Sequence, residues 1–128
     1  MHRRLPAEWE EQDAVLLAWP DEETDWEPIL DKVHVTYADI IRAITRFEDV
    51  LVAARKPREV AAQLAKAGID LARVHVWPVD INDTWTRDFG PITVTDGGKC
   101  LLMDFAFNGW GMKFAAFYDN LVTRRLHE

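Results

Sequence analysis

The chain has 128 residues and a mass of 14.8 kDa, with 15 Lys and Arg against 22 Asp and Glu for a formal charge of −7. An acidic chain without a Lys/Arg run is poorly suited to phosphate backbones, so no nucleic-acid partner is expected, while the sign suits a small cationic ligand. The single Cys100 permits no internal disulfide and no apolar run reaches the ~20 residues of a bilayer span, so a cytoplasmic chain with no membrane partner is expected.

The amino terminus, MHRRLPAEWEEQ, has basic residues but no apolar stretch behind them, which argues against a signal peptide. Residues 13–19 (DAVLLAW), closed by Pro20, read as a buried strand. The acidic segment 21–25 reads as a helix N-terminus rather than a calcium loop, with Pro28 in the first turn. Leu30, Val33, Tyr37, Ile40, Ile41, Ile44 and Phe47 then recur at three- and four-residue spacing, predicting an amphipathic helix over about 28–47. Residues 49–54 (DVLVAA) form a second strand, and 57–67 a second helix closed by Gly68. Residues 73–79 (RVHVWPV) form a third strand, and 91–95 with 99–105 a β-hairpin around Asp96, Gly97 and Gly98. Phe117, Leu121 and Leu126 begin a further helical stripe, and its lack of a Gly or Pro stop hints that the sequence was cut. Alternating strands and helices mean an α/β fold. No linker or repeat divides 1–128, so no internal domain boundary is expected.

Six Trp stand out, of which Trp26, Trp85 and Trp110 lie in polar, turn-like contexts that suit a recognition surface. The stretch from Asp80 to Pro91 sets Asp80, Asp83, Arg87 and Asp88 among Trp85 and Phe89. A carboxylate beside an aromatic face suits a delocalised cation, since it accepts parallel N–H bonds while the ring supplies cation–π contact. Trp85 and Asp88 share a face only if one helical turn forms here. On residue chemistry alone a structural loop is favoured, since charged turns are common and mostly inert: Asn82 and Asp83 cap a turn, Arg87 pairs with an acid and Trp85 plugs the core.

NDTWTRDFGP at 82–91 resembles the Asn-Asp-x-Trp-x-Arg-Asp-x-Gly-Pro signature of the agmatine deiminase and bacterial-type peptidyl-arginine deiminase family. LPAEWEEQDAVLLAWP resembles that family's Pro-x-Glu-Trp opening and first strand, and DFAFNGWGMK at 104–113 its Phe-Asn-x-Trp-Gly loop. The resemblance implies part of a pseudo-fivefold α/β propeller of ββαβ units, about the first two blades, within one catalytic domain. It implies hydrolysis of a guanidinium group to a ureido group and ammonia by a Cys thiolate, agmatine to N-carbamoylputrescine being favoured by the acidic composition. A peptidyl-arginine deiminase and a non-catalytic Trp/Asp binding module are the alternatives.

Residue by residue, the resemblance implies Asp88 as the carboxylate that orients substrate, Trp85 packing on it and Trp110 as a second wall. Asn82, Asp83, Arg87 and Asn108 fall to holding the loops. The family's His and Cys lie downstream of everything present: His2, His34, His75 and His127 are expected to be structural or surface groups, and Cys100 strand packing. This chain alone is therefore expected to be inactive. No metal or cofactor is expected, since four scattered His and one Cys offer no ligand pair at zinc spacing. A guanidine substrate is the expected partner, with self-association through exposed blade edges if the chain ends at Glu128.

Overall fold

The computed structural model describes residues 3–128, so His2 lies outside the described residues. Its strands are β1 (Arg3–Arg4), β2 (Ala14–Ala18), β3 (Asp49–Ala54), β4 (Val74–Pro78), β5 (Ile92–Asp96) and β6 (Lys99–Met103), and its two longer helices are α1 (Leu30–Ile44) and α2 (Pro57–Lys66). β2, β3 and β4 make a parallel sheet in that order, with Leu16 opposite Leu51 and Val52 opposite Val76. Helices α1 and α2 are the crossovers that parallel neighbours require.

The period-two alternation of β3 sends side chains to two different cores. Val50, Val52 and Ala54 face the helices, packing with Ile41 of α1, Val60 and Leu64 of α2, and Trp19. Ala53 faces the other way, with Leu16 and Ala18 of β2, against Val79, Ile81, Phe89, Phe107 and Val122. The second core matters for position, because what packs on the sheet there is loop and short helical chain: Val79, Ile81, Phe89, Phe107 and Val122. Loop residues 79–91 and the 107–122 segment are pinned to the sheet there by apolar burial worth about 1.5–3 kcal/mol per large side chain.

β1, β5 and β6 form a separate antiparallel sheet. The β5–β6 hairpin turns at Gly97 (φ 57°) and Gly98 (φ 81°), the paired left-handed conformations of a tight two-residue turn. Neither β5 nor β6 contributes to either core, and Cys100 is exposed rather than packed, contrary to the sequence expectation. The strand expected over 99–105 stops at Met103, and Phe105 is exposed.

The first helix begins later than predicted, since residues Glu27–Ile29 form a 3-10 turn before Leu30. The last helix, Val122–His127, also begins later than the stripe suggested. Phe117 precedes it and is exposed, while Val122 and Leu126 meet the second core. The β1 pairing had no sequence signal, being two residues long. Among the described residues, no helix is long and apolar enough to cross a membrane.

Candidate functional site

The loops that follow β2, β3 and β4 leave one edge of the parallel sheet, the edge where α/β sheets commonly bind ligands. Trp26 comes from the first of these loops and Trp85 from the third, with ring centroids 6.0 Å apart. Trp110 stands edge-on to Trp85 at 6.3 Å, so three tryptophans remote in sequence form one row. The indole N–H of Trp26 donates to Thr84 Oγ1 (2.8 Å) and that of Trp85 to Asp83 Oδ2 (2.9 Å). Both polar edges are satisfied while ring surface stays open: Trp85 is 43% and Trp110 40% exposed.

Residues Thr86–Phe89 form the helical turn that a shared face for Trp85 and Asp88 requires, closed by the Gly90 N–H donating to the Thr86 carbonyl at 2.7 Å. Thr86 Oγ1 donates to the Leu16 carbonyl (3.1 Å), tying the turn to β2. Phe89, not Trp85, fills the core beneath. Asp88 and Arg87 are exposed. Arg87 lies 3.5 Å from Glu8 with both side chains in solvent, a pair worth little. Asn82 points inward, its Oδ1 accepting the backbone N–H groups of Tyr118 (2.7 Å) and Asp119 (3.2 Å).

Trp110 sits in a left-handed turn. Gly109, Trp110, Gly111 and Met112 all have positive φ, between 54° and 79°. A bulky side chain rarely adopts this conformation, at roughly 1–2 kcal/mol per residue. The turn is held by Asn108, whose Oδ1 accepts from the Gly111 N–H (2.9 Å), and by the Lys113 N–H donating to the Gly109 carbonyl (3.1 Å). Gly109 is obligatory: a Cβ there would lie 2.2 Å from the Phe114 carbonyl oxygen. Trp110 is also braced edge-on by Phe107 at 4.9 Å and Phe114 at 5.7 Å. Strain held in place by packing on an exposed aromatic is a mark of functional sites.

Behind the row lies a charged lattice that the sequence reading missed. Arg55, just past β3, binds both carboxylate oxygens of Asp21 through Nη1 (2.8 and 2.6 Å) and donates from Nη2 to the Ile81 carbonyl. A sequence signal existed: opposite charges stand just beyond the ends of two strands that pair in parallel. Burial pushes the Asp83 carboxyl above the ordinary carboxylate range, opposed by the N–H bonds from Thr84 and Trp85, and Asp25 adds to the rise. Burial raises Asp119 likewise, against the N–H bonds from Asn82 and Asp83. His34 stacks on Trp19 at 4.9 Å, and His75 pairs with Asp49 (2.9 Å). Among the described residues, no group of three His, Cys, Asp or Glu side chains could hold a metal ion.

The profile of the Porphyromonas-type peptidyl-arginine deiminases matches residues 4–128. An agmatine deiminase of Stutzerimonas stutzeri is 32% identical over 130 aligned residues, covering 97% of this chain and 34% of that protein. Among solved structures, a Cys-to-Ser variant of a C. jejuni agmatine deiminase with substrate bound superposes with a TM-score of 0.86 at 34% identity, covering 98% of this chain and 36% of that one. A Porphyromonas gingivalis protein provisionally described as an arginine deiminase superposes with a TM-score of 0.83 at 42% identity, covering 98% and 37%. The chain thus spans about a third of the length of the relatives it matches.

Proposed function

The chain belongs to the Porphyromonas-type peptidyl-arginine deiminase family, and from that premise we propose that it is the amino-terminal part of a guanidine deiminase, acting most readily on agmatine. Water and a guanidinium group give a ureido group and ammonia. A Cys thiolate beyond this chain attacks the guanidinium carbon, ammonia leaves, and a His-assisted water displaces the sulfur and regenerates the thiolate. Residues 4–128 contribute the grip on the substrate. Asp88 accepts two parallel N–H bonds from the guanidinium, Trp85 packs on the delocalised cation, and Trp110 walls the alkyl chain.

The observation that carries this reading is the row of Trp26, Trp85 and Trp110 with Asp88 one helical turn from Trp85. Asn82, Asp83 and Asn108 hold the loops, while Arg87 is left at the solvent-facing rim. On this reading Cys100 is not the nucleophile; it lies opposite Thr95 in the hairpin sheet. The wider setting in this proposal is a cytoplasmic propeller of five repeated units, of which this undivided segment forms about two. On its own it would self-associate through uncovered edges.

The test is ammonia and N-carbamoylputrescine release from agmatine by the product of the complete reading frame. Asp88→Asn lowers kcat/KM by about 100-fold, the worth of two charge-assisted hydrogen bonds. Near-wild-type turnover in that variant refutes the assigned role of Asp88. No turnover by the wild-type product refutes the agmatine reading. The family's own description favours peptidyl-arginine as the second reading. An arginine peptide run beside agmatine decides between them.

A further inference from the structure

The Trp85–Trp110 part of the row is built from two separate lengths of chain, and something must set the distance between them. Trp85 belongs to the loop after β4 and Trp110 to the left-handed turn after β6, and their rings meet only edge to face. The connection runs behind the rings through two consecutive residues. Asp119, 2% exposed, accepts the backbone N–H groups of Asn82 (2.7 Å) and Asp83 (3.3 Å) on one oxygen. Asn82 answers by accepting the N–H groups of Tyr118 and Asp119, so the clamp is reciprocal. Asn120 takes the other side: its Oδ1 accepts the Phe107 N–H (2.7 Å), and its Nδ2 donates to the carbonyls of Phe107 (2.7 Å) and Ala116 (2.8 Å). Phe107 in turn braces Trp110.

The use of Asp119 is not the one its position invites. An Asp at the entry to a helix normally caps its own first turn. Here neither Tyr118 nor Leu121, the cap positions of the 3-10 turn Asp119–Leu121 and of the last helix, has a side-chain cap. The carboxylate is spent on a loop 37 residues away in sequence. A buried carboxylate is also a costly way to satisfy two neutral N–H groups unless their placement matters.

We propose that Asp119, with Asn120, is a positioning residue that sets the separation of the Trp85 and Trp110 walls, and so the fit of a guanidine side chain between them. This rests on the deiminase reading above. It goes beyond that reading by assigning a residue that touches neither ring nor substrate.

The experiment uses the product of the chain's own reading frame, as wild type, Asp119→Asn and Asp119→Ala. Circular dichroism across the strong indole band reports the coupling of the neighbouring indoles without substrate, and steady-state kinetics with agmatine reports KM and kcat separately. Asp119→Ala weakens the indole couplet and raises KM about tenfold with a much smaller change in kcat, the scale expected when a buried donor pair loses its acceptor. Asp119→Asn keeps an oxygen for the two N–H groups and restores both readouts. If Asp119→Ala does not fold, Asp119→Ser, whose shorter side chain reaches at most one N–H, takes its place. A folded Ala or Ser variant with a lower melting temperature but unchanged couplet and KM overturns the proposal, since that is a structural role only. A wild type that turns over neither agmatine nor an arginine peptide overturns the deiminase reading alone, and the couplet then decides the clamp by itself.

Discussion

Replacing Arg55 by Met keeps the aliphatic stem and removes the guanidinium that joins the loops after β2 and β4. The wild-type group binds Asp21 through both carboxylate oxygens at 2.8 and 2.6 Å, with both side chains 14% exposed, and it donates to the Ile81 carbonyl. Stranding a fully buried carboxylate costs about 3–5 kcal/mol. Asp21 is not fully sealed and keeps the Glu23 N–H at 2.9 Å, which places its share near the bottom of that range or below it. Loss of the bond to Ile81 adds about 1 kcal/mol. The expected destabilisation is about 3 kcal/mol, or roughly 10 °C in melting temperature for a chain of this size.

Urea unfolding at neutral pH, followed by tryptophan fluorescence, measures this directly. A double-mutant cycle with Asp21→Leu isolates the pair: Arg55→Met combined with Asp21→Leu should be less destabilised than the sum of the singles by about 2 kcal/mol. A loss below about 1 kcal/mol, the value of an exposed ion pair, refutes the argument. So does strict additivity, because it would mean that neither residue feels the absence of the other.

Gly109→Ala places a methyl 2.2 Å from the Phe114 carbonyl oxygen at φ 60°, so it should cost about 3 kcal/mol or more, and an unchanged thermal midpoint would contradict the left-handed turn. Glu10 accepts from both Nη atoms of Arg4, with the Ala7 N–H assisting, and its carboxyl is held down to about 2. Because the folded value is depressed, its contribution is present above the ordinary glutamate range and is lost as the pH falls through that range towards 2. Carboxyl carbon NMR reads the midpoint, and a value near 4.5 would show that the Arg4 pairing does not form in solution. Cys100 is exposed on β6, so a thiol reagent should label it fully in native buffer, whereas labelling only in denaturant would restore the packed reading.

Periodicity made the sheet and its helices legible before any coordinates. Residues 49–54 form β3 over the expected span, and the helix read at 57–67 is α2 to within one residue. Both elements bury a continuous apolar pattern, which is what a period measures. The errors fall where pattern and packing part company. Phe117 fits a helical stripe yet stands in solvent, because the helix starts five residues later and Val122 takes the inward place. Cys100 fits an apolar strand, but the hairpin strands join neither core and the thiol is exposed. Asp119 and Asn120 carried no signal for their roles, since their partners lie far away in sequence and hydrogen bonds across such a gap leave no periodic trace.

In the 82–91 segment most residues have a structural partner of their own. Asn82 is committed to Tyr118 and Asp119, Thr84 to the Trp26 indole, Thr86 to the Leu16 carbonyl, and Phe89 to the second core. Asp83 spends one oxygen on the Thr84 N–H and the other on the Trp85 indole. With those partners assigned, the Trp85 ring and Asp88 are left exposed, held by neighbours whose own bonding is satisfied. Alternating anchors explain how so short a loop holds an exposed aromatic still without burying it. A site for a flat cation requires this combination, because cation–π contact and parallel N–H bonding both fail if the ring is buried or the carboxylate is already paired.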